Sequence, residues 1–398
     1  MIVGIDASNL RRGGGITHLV ELLRAGTPAA HGISRVIVWG GRQILAQAED
    51  RPWLVKSWQT LLDRPLPWRA FWQRFRLGGL VRAAGCDVLF VPGGVVAGHS
   101  DHPAVTMSRN LLPFEGQELR RYGLSWLTLK WLILRIMQTR TLRAADGVIF
   151  LTRYAQNVVT RTAGRTLSRT RIIPHGVDSR FVLAPREQLE IGRYDAARPF
   201  RLLYVSIIDM YKHQWRVAEA VSRLRSEGMP VALELVGPAY PPALRKLHKV
   251  LNRVDSARRF TTYVGAVPHE DLPTRYAEAQ LCVFASSCEN MPNILLEGMA
   301  SGLPIACSAR GPMPEVLGDA GVYFDPESSH DIARAIRQLI ESPRLRAQLA
   351  RAAYERALCY SWQRCAGETF GFLAAIAADR KPRVAPNRTS ALEAGSRS

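Results

Sequence analysis

The sequence is short of acid, of paired cysteine and of long apolar runs, and each shortage removes a class of protein. Its 398 residues carry 34 Asp and Glu against 53 Lys and Arg, a formal net charge of +19. Such a chain is matched to an anionic partner: nucleic acid, a phosphorylated small molecule or an anionic bilayer. The six cysteines, at 86, 282, 288, 307, 359 and 365, form no CxxC pair and no Cys/His cluster with zinc spacing. Neither a disulfide framework nor a structural metal is therefore expected. Nowhere are there the roughly 18 uninterrupted apolar residues that a membrane span requires, because Lys130 and Arg135 interrupt the best candidate. The opening residues MIVGIDASNL have no basic leader, so a cytoplasmic chain is expected. Helix-turn-helix, RNP and zinc-finger patterns are absent, and the aromatics fall at helical spacing, which sets nucleic acid aside.

What is present is the composition of a globular protein, 47% hydrophobic and 22% charged, long enough for two or three domains. Short runs rich in Val, Ile and Phe alternate with longer amphipathic stretches, the rhythm of βα units on a parallel sheet. Strands are predicted at 2–6, 36–39, 88–91, 104–107, 148–151 and 172–173, then at 201–207, 232–236, 262–264, 282–285, 304–307 and 322–324. The expected fold class is α/β, two doubly wound Rossmann-like domains at 1–182 and 198–360. A polar, proline-bounded linker joins them, and a disordered tail is expected at 379–398.

The basic excess sits mainly in the first half, where 25 basic side chains stand against 11 acidic ones within 1–180. Two stretches there mix Arg and Lys with aromatics, 51–82 and 117–143, and both read as basic amphipathic helices. In the second, Trp126, Leu129, Ile133 and Ile136 recur at helical spacing.

In doubly wound sheets ligands bind beyond the carboxyl ends of the strands, so the residues that follow each strand are the candidates. The first strand leads into Arg11-Arg12-Gly13-Gly14-Gly15-Ile16, either a phosphate-approaching loop or a plain flexible turn. The first half ends on Ile173-Pro174-His175-Gly176-Val177-Asp178. There His175 either lines an interdomain cleft or holds a structural turn. In the second half, Tyr204-Val205-Ser206 runs to Lys212, a compact cation placed for a phosphate. The fullest constellation is Glu289-Asn290-Met291-Pro292-Asn293-Ile294 through Glu297 to Gly302-Leu303-Pro304. Pro292 opens a helix there and Gly302 closes it, so amides at Met291–Ile294 would form a positive end between two carboxylates. Acceptor-only Glu289 and Glu297 suit hydroxyl groups on either side of a diphosphate.

With these marks in order, and with Tyr263-Val264-Gly265, Gly311-Pro312-Met313-Pro314-Glu315 and Tyr360-Ser361-Trp362, the sequence resembles the retaining, nucleotide-sugar-dependent glycosyltransferases of family 4, which have the GT-B fold. The resemblance implies two domains facing across a cleft, with a helix at 361–378 crossing back to the first. It implies that Glu289 binds donor-sugar hydroxyls and Glu297 the ribose diol, while Lys212 and the amides near Met291–Ile294 bind the diphosphate. Gly14 and Gly15 would close over the phosphates, and the base would lie near Val264–Val267. No metal or separate cofactor is implied, the co-substrate being a UDP- or GDP-linked sugar. Two departures stand out. Ser206 and Ile207 occupy the place where the family commonly has a phosphate-binding Arg. Arg109 and Asn110 stand where it often has a His-Asp pair, and neither is a general base at neutral pH.

Three readings follow: a glycosyltransferase with a lipid-linked saccharide acceptor, docked on the anionic inner face of the cytoplasmic membrane by 51–82 and 117–143; one with a soluble acceptor; and a non-catalytic relative. The first is expected, with mannose or another hexose transferred in surface polysaccharide assembly.

Overall fold

Runs of β-branched and aromatic residues buried on both faces build two parallel sheets in the computed structural model, which describes residues 1–11, 13–93, 102–164 and 167–379. Arg12 and nearly all of the expected tail lie outside the described residues. The first sheet comprises β1 (Ile2–Asp6), β2 (Arg35–Gly40), β3 (Leu54–Trp58), β4 (Val88–Val91), β5 (Ala104–Met107), β6 (Gly147–Phe150) and β7 (Arg169–Ile172). Its order is β3-β2-β1-β4-β5-β6-β7. The second comprises β8 (Phe200–Val205), β9 (Val231–Val236), β10 (Thr261–Gly265), β11 (Leu281–Phe284), β12 (Ile305–Ser308) and β13 (Val322–Phe324), in the order β10-β9-β8-β11-β12-β13. The central strands β4, β5, β6, β11 and β12 are buried throughout, as sheets covered on both faces demand. Val3 pairs in parallel with Val36 on one side and Val88 on the other, so the direction in which successive strands are added reverses at β1/β4. The second sheet reverses at β8/β11. These are the two topological switch points, where such folds hold ligands.

The stretch 51–82 is not one helix. Leu54–Trp58 pairs in parallel with β2 as an edge strand, a 3₁₀ turn follows at Thr60–Asp63, and helices run over Leu66–Phe75 and Leu77–Ala83. None of the strand's positions is buried, as on an exposed sheet edge, and aromatic residues serve strand and helix alike. Within 117–143 the chain turns at Gly123, in the left-handed region at φ 62°. Only then does a long helix begin, Trp126–Ala144, with Ser125 Oγ accepting from the Thr128 N–H. Among the described residues no helix is long and apolar enough to cross a membrane.

The passage between the sheets is pinned to the second domain. The fully buried Arg346 donates to the carbonyls of Leu339 and Leu189 and, at 3.1 Å, to Gln188. The final helix, Trp362–Ala378, lays Phe370, Phe372 and Ile376 on the first domain, where Gly26 and Gly147 leave room for them. Across the cleft, Glu315 accepts from the Arg153 and Tyr154 amides at 2.7 and 2.8 Å, a carboxylate on a helix N-terminus. Arg121 pairs with Glu327 at 2.7 Å, and the Tyr122 hydroxyl donates to Asp209 at 2.8 Å.

Candidate functional site

The loop after β8 carries Lys212. The Tyr204 hydroxyl donates to the Lys212 carbonyl at 2.7 Å, and His213 takes a left-handed backbone, φ 52°, which turns the chain sharply into the helix Gln214–Ser226. A non-glycine residue held there stores strain, a feature concentrated at functional sites. The turn buries the Lys212 side chain to 5% exposure and pairs its Nζ with Glu289 Oε1. Glu289 comes from the loop after β11. The two loops are tied together by Ser287, whose N–H donates to the Tyr211 carbonyl at 2.8 Å and whose Oγ lies 3.0 Å from His213 Nε2. One residue from each side of the β8/β11 switch point thus forms the charged floor of the cleft.

Beyond Glu289 the helix is Asn293–Ala300, and its entry differs from the expected row of free amides. Pro292 has no N–H, and the Asn293 N–H folds back onto the Met291 carbonyl at 3.0 Å. The unpartnered groups beside it are acceptors instead: Asn290 Oδ1 and Asn293 Oδ1 are buried without a hydrogen-bond partner among the described residues, which suits a hydroxyl and not a phosphate oxygen. Asn290 Nδ2 meanwhile donates to the Ser108 carbonyl of the first domain at 2.7 Å, so Asn290 also fastens the two walls. Glu297 lies elsewhere, between Tyr276 Oη and His269 Nε2, each at 3.4 Å. Burial raises its pKa, and its carboxylate in turn raises that of His269. Val264 is exposed at the end of β10 and Val267 is partly buried.

The facing wall comes from the first domain. A cavity of about 270 Å³ joins Gly14, Arg109, Asn110 and His175 to Glu289, Asn290, Met291 and Asn293, together with Tyr211 and Cys288, which sequence reasoning missed. Gly15 lies against the Arg109 guanidinium, so close that a Cβ there would stand 2.5 Å from Nη1. Arg109 forms no salt bridge among the described residues; its Nη1 reaches the Pro92 carbonyl at 3.4 Å and its Nε is buried without a partner. Desolvation lowers its pKa to about 10, which leaves it cationic at neutral pH. Asn110 is partly spent, since its Oδ1 accepts from the Leu112 N–H at 3.2 Å.

His175 meets His18, Nδ1 to Nδ1 at 3.0 Å, with Trp362 packed on both rings. No spacing in the sequence signals that pair. Burial, then the charge of Arg109, lowers His175 to about 3, and burial lowers His18 as well. Both rings are therefore neutral, one donating to the other. With Cys365 they form the grouping among the described residues whose ligand atoms, all within 4.8 Å, have the types to hold a metal ion.

Residues 12–181 match the family described as Glycosyltransferase Family 4, and residues 199–342 match Glycosyl transferases group 1. The O-antigen chain mannosyltransferase B of Escherichia coli is 36% identical over 107 residues, 27% of this chain and 28% of that protein. Glycogen synthase of Mycobacterium tuberculosis is 28% identical over 251 residues, 61% of this chain and 57% of that one. The chain thus spans 28% and 57% of the length of these two relatives. Among solved structures, the Anabaena protein HepE in complex with UDP and glucose superposes with a TM-score of 0.67 at 18% identity, covering 94% of this chain and 98% of its own.

Proposed function

The chain belongs to glycosyltransferase family 4 and has the GT-B fold, and from that premise we propose that it is a retaining glycosyltransferase. In this reading it moves a hexose from a nucleotide-diphosphate sugar to a lipid-linked saccharide. The observation that carries the proposal is the Lys212–Glu289 pair at the β8/β11 switch point, in which Glu289, backed by Lys212, faces Gly14 and Arg109 across one cavity. Glu289 accepts from the sugar hydroxyls, Lys212 neutralises the diphosphate, and the residues invoked require no metal.

In the transfer the bond from the anomeric carbon to the diphosphate oxygen breaks, and its electron pair leaves with the nucleoside diphosphate. The acceptor hydroxyl oxygen bonds to that carbon from the same face. Its proton passes to the departing diphosphate, because the groups nearby are poor bases. Arg109 stays protonated, and His175, at about 3, is far below the basicity that neutral-pH proton abstraction requires.

A lipid-linked acceptor is supported by the helix Trp126–Ala144, whose Trp126, Leu129, Ile133 and Ile136 all face solvent among Lys130, Arg135 and Arg140. An apolar stripe flanked by cations suits an anionic bilayer. The deciding experiment incubates the protein with a panel of UDP- and GDP-sugars and measures hydrolysis and transfer. Turnover of one donor, reduced about 100-fold or more in Glu289→Gln, is expected; turnover of none, or full activity in Glu289→Gln, overturns the proposal.

A further inference from the structure

A second cavity, of about 370 Å³, opens in the first domain immediately behind the cleft, and Arg109 and Asn110 belong to the walls of both. Among the described residues its lining includes Asn9, Gly15, Thr106, Ser108 and Gln138 but no Asp or Glu. A space of that size holds a small ligand, not a long saccharide. Among the described residues its one cation is Arg109, which has no carboxylate partner there and presses its guanidinium on Gly15 at the start of the helix Gly14–Ala25. Buried guanidinium groups are ordinarily paired, so an unpaired one in an acid-free pocket is a site prepared for an anion. Gln138 Oε1 is also buried there without a partner among the described residues.

The surroundings say which anion. The helix Trp126–Ala144 supplies Gln138, Thr141 and Leu142 to the pocket wall and turns Ile133, Ile136 and Met137 outward. The helix Leu66–Phe75 is tied to the same edge, where Arg69 donates to the Ser8 carbonyl at 2.9 Å next to Asn9, and it exposes Trp68, Phe71 and Phe75. The pocket therefore lies beside both basic, apolar surfaces and shares Arg109 and Asn110 with the cavity that Glu289 lines. We infer that Arg109 binds the phosphate of the acceptor, and that this phosphate lies within about one sugar of the hydroxyl that is glycosylated. This rests on the glycosyltransferase reading above and narrows its acceptor. It places the reaction early in assembly, directly after a reaction that attaches a phosphosugar to a lipid.

The test compares acceptors that differ only in charge: a short-chain alkyl phosphosugar, the matching neutral alkyl glycoside, and a long-chain lipid phosphosugar in vesicles. The wild-type protein should favour the phosphosugar in kcat/KM by about 30-fold, equivalent to about 2 kcal/mol, and Arg109→Gln should reduce that preference below about threefold. The conservative Arg109→Lys should recover part of it. A lower KM for the long-chain form identifies the lipid source, whereas equal use of the free short-chain phosphosugar overturns the lipid part. Equal transfer to neutral and phosphorylated acceptors by the wild-type protein overturns the inference while leaving the glycosyltransferase reading intact. Calorimetric binding of the short-chain phosphosugar, with and without Arg109→Gln, reads the anion site without turnover. A nucleoside diphosphate affinity that falls in Arg109→Gln while phosphosugar binding does not would reassign Arg109 to the donor and overturn the inference.

Discussion

At the scale of the residue, the site rests on charges taken out of water. Lys212 and Glu289 are both largely buried and satisfy each other, so removing one leaves the other desolvated and unpaired. Lys212→Met or Glu289→Gln alone should cost about 3 kcal/mol of stability, whereas the double variant should recover most of it, since an isosteric neutral pair leaves no orphan charge. Donor turnover should stay low in all three. Chemical denaturation of the four proteins checks this, and a double variant no more stable than the singles would refute the pairing. His175 adds a pH dependence. Its pKa is about 3 in the fold and near 6.5 when unfolded, so between those values the unfolded chain binds the extra proton. Stability is then complete above pH 6.5 and declines as pH falls toward 3. Between pH 6.5 and 5 that contribution is about 2 kcal/mol. In His175→Gln the loss over this interval should shrink by about that amount in denaturant titrations at the two pH values; an unchanged loss would show that His175 titrates normally.

At the scale of the element, the final helix depends on a backbone contact. A Cβ on Gly176 would stand 2.2 Å from the Trp362 backbone nitrogen, where no flexible side chain can yield, so Gly176→Ala should destabilise by about 1–3 kcal/mol. Gly78 lies inside the helix Leu77–Ala83 with open space around its missing side chain, and there Ala should add about 0.5–1 kcal/mol. Thermal melting of the pair checks both signs. The same contrast explains what could be read beforehand. The loops after β1, β8 and β11 were legible because turn and helix-start signals are local and occur in chain order. The edge strand Leu54–Trp58 was hidden because it has no buried position to mark it and lies within an Arg- and Trp-rich stretch that continues into true helix. The His18–His175 contact joins residues 157 apart, and the missing partner of Arg109 is a property of packing, so neither leaves a local trace.

At the scale of the whole molecule, the net charge of +19 acquires a direction. Many acids of the second domain are consumed in pairs such as Arg310–Asp325, Arg334–Asp331 and Arg253–Glu219. The helix Trp126–Ala144 instead presents Lys130, Arg135 and Arg140 beside exposed Trp126, Ile133 and Ile136, with only Thr141 and Leu142 buried. Charge and apolar area act differently on a bilayer: the first is screened within about 10 Å at 0.1 M salt, while the second is indifferent to moderate salt. Binding to vesicles containing anionic lipid should therefore fall steeply as salt rises, yet keep a residual set by the apolar stripe. Replacing Trp126, Ile133 and Ile136 together with Ser should remove that residual and weaken low-salt binding at least about tenfold, given roughly 1.5–3 kcal/mol for each large side chain fully buried. The variant should melt within about 0.5 kcal/mol of the parent, as exposed substitutions do. Co-sedimentation across a salt series separates the two contributions, and equal binding of parent and variant at every salt concentration would exclude this helix as the docking surface.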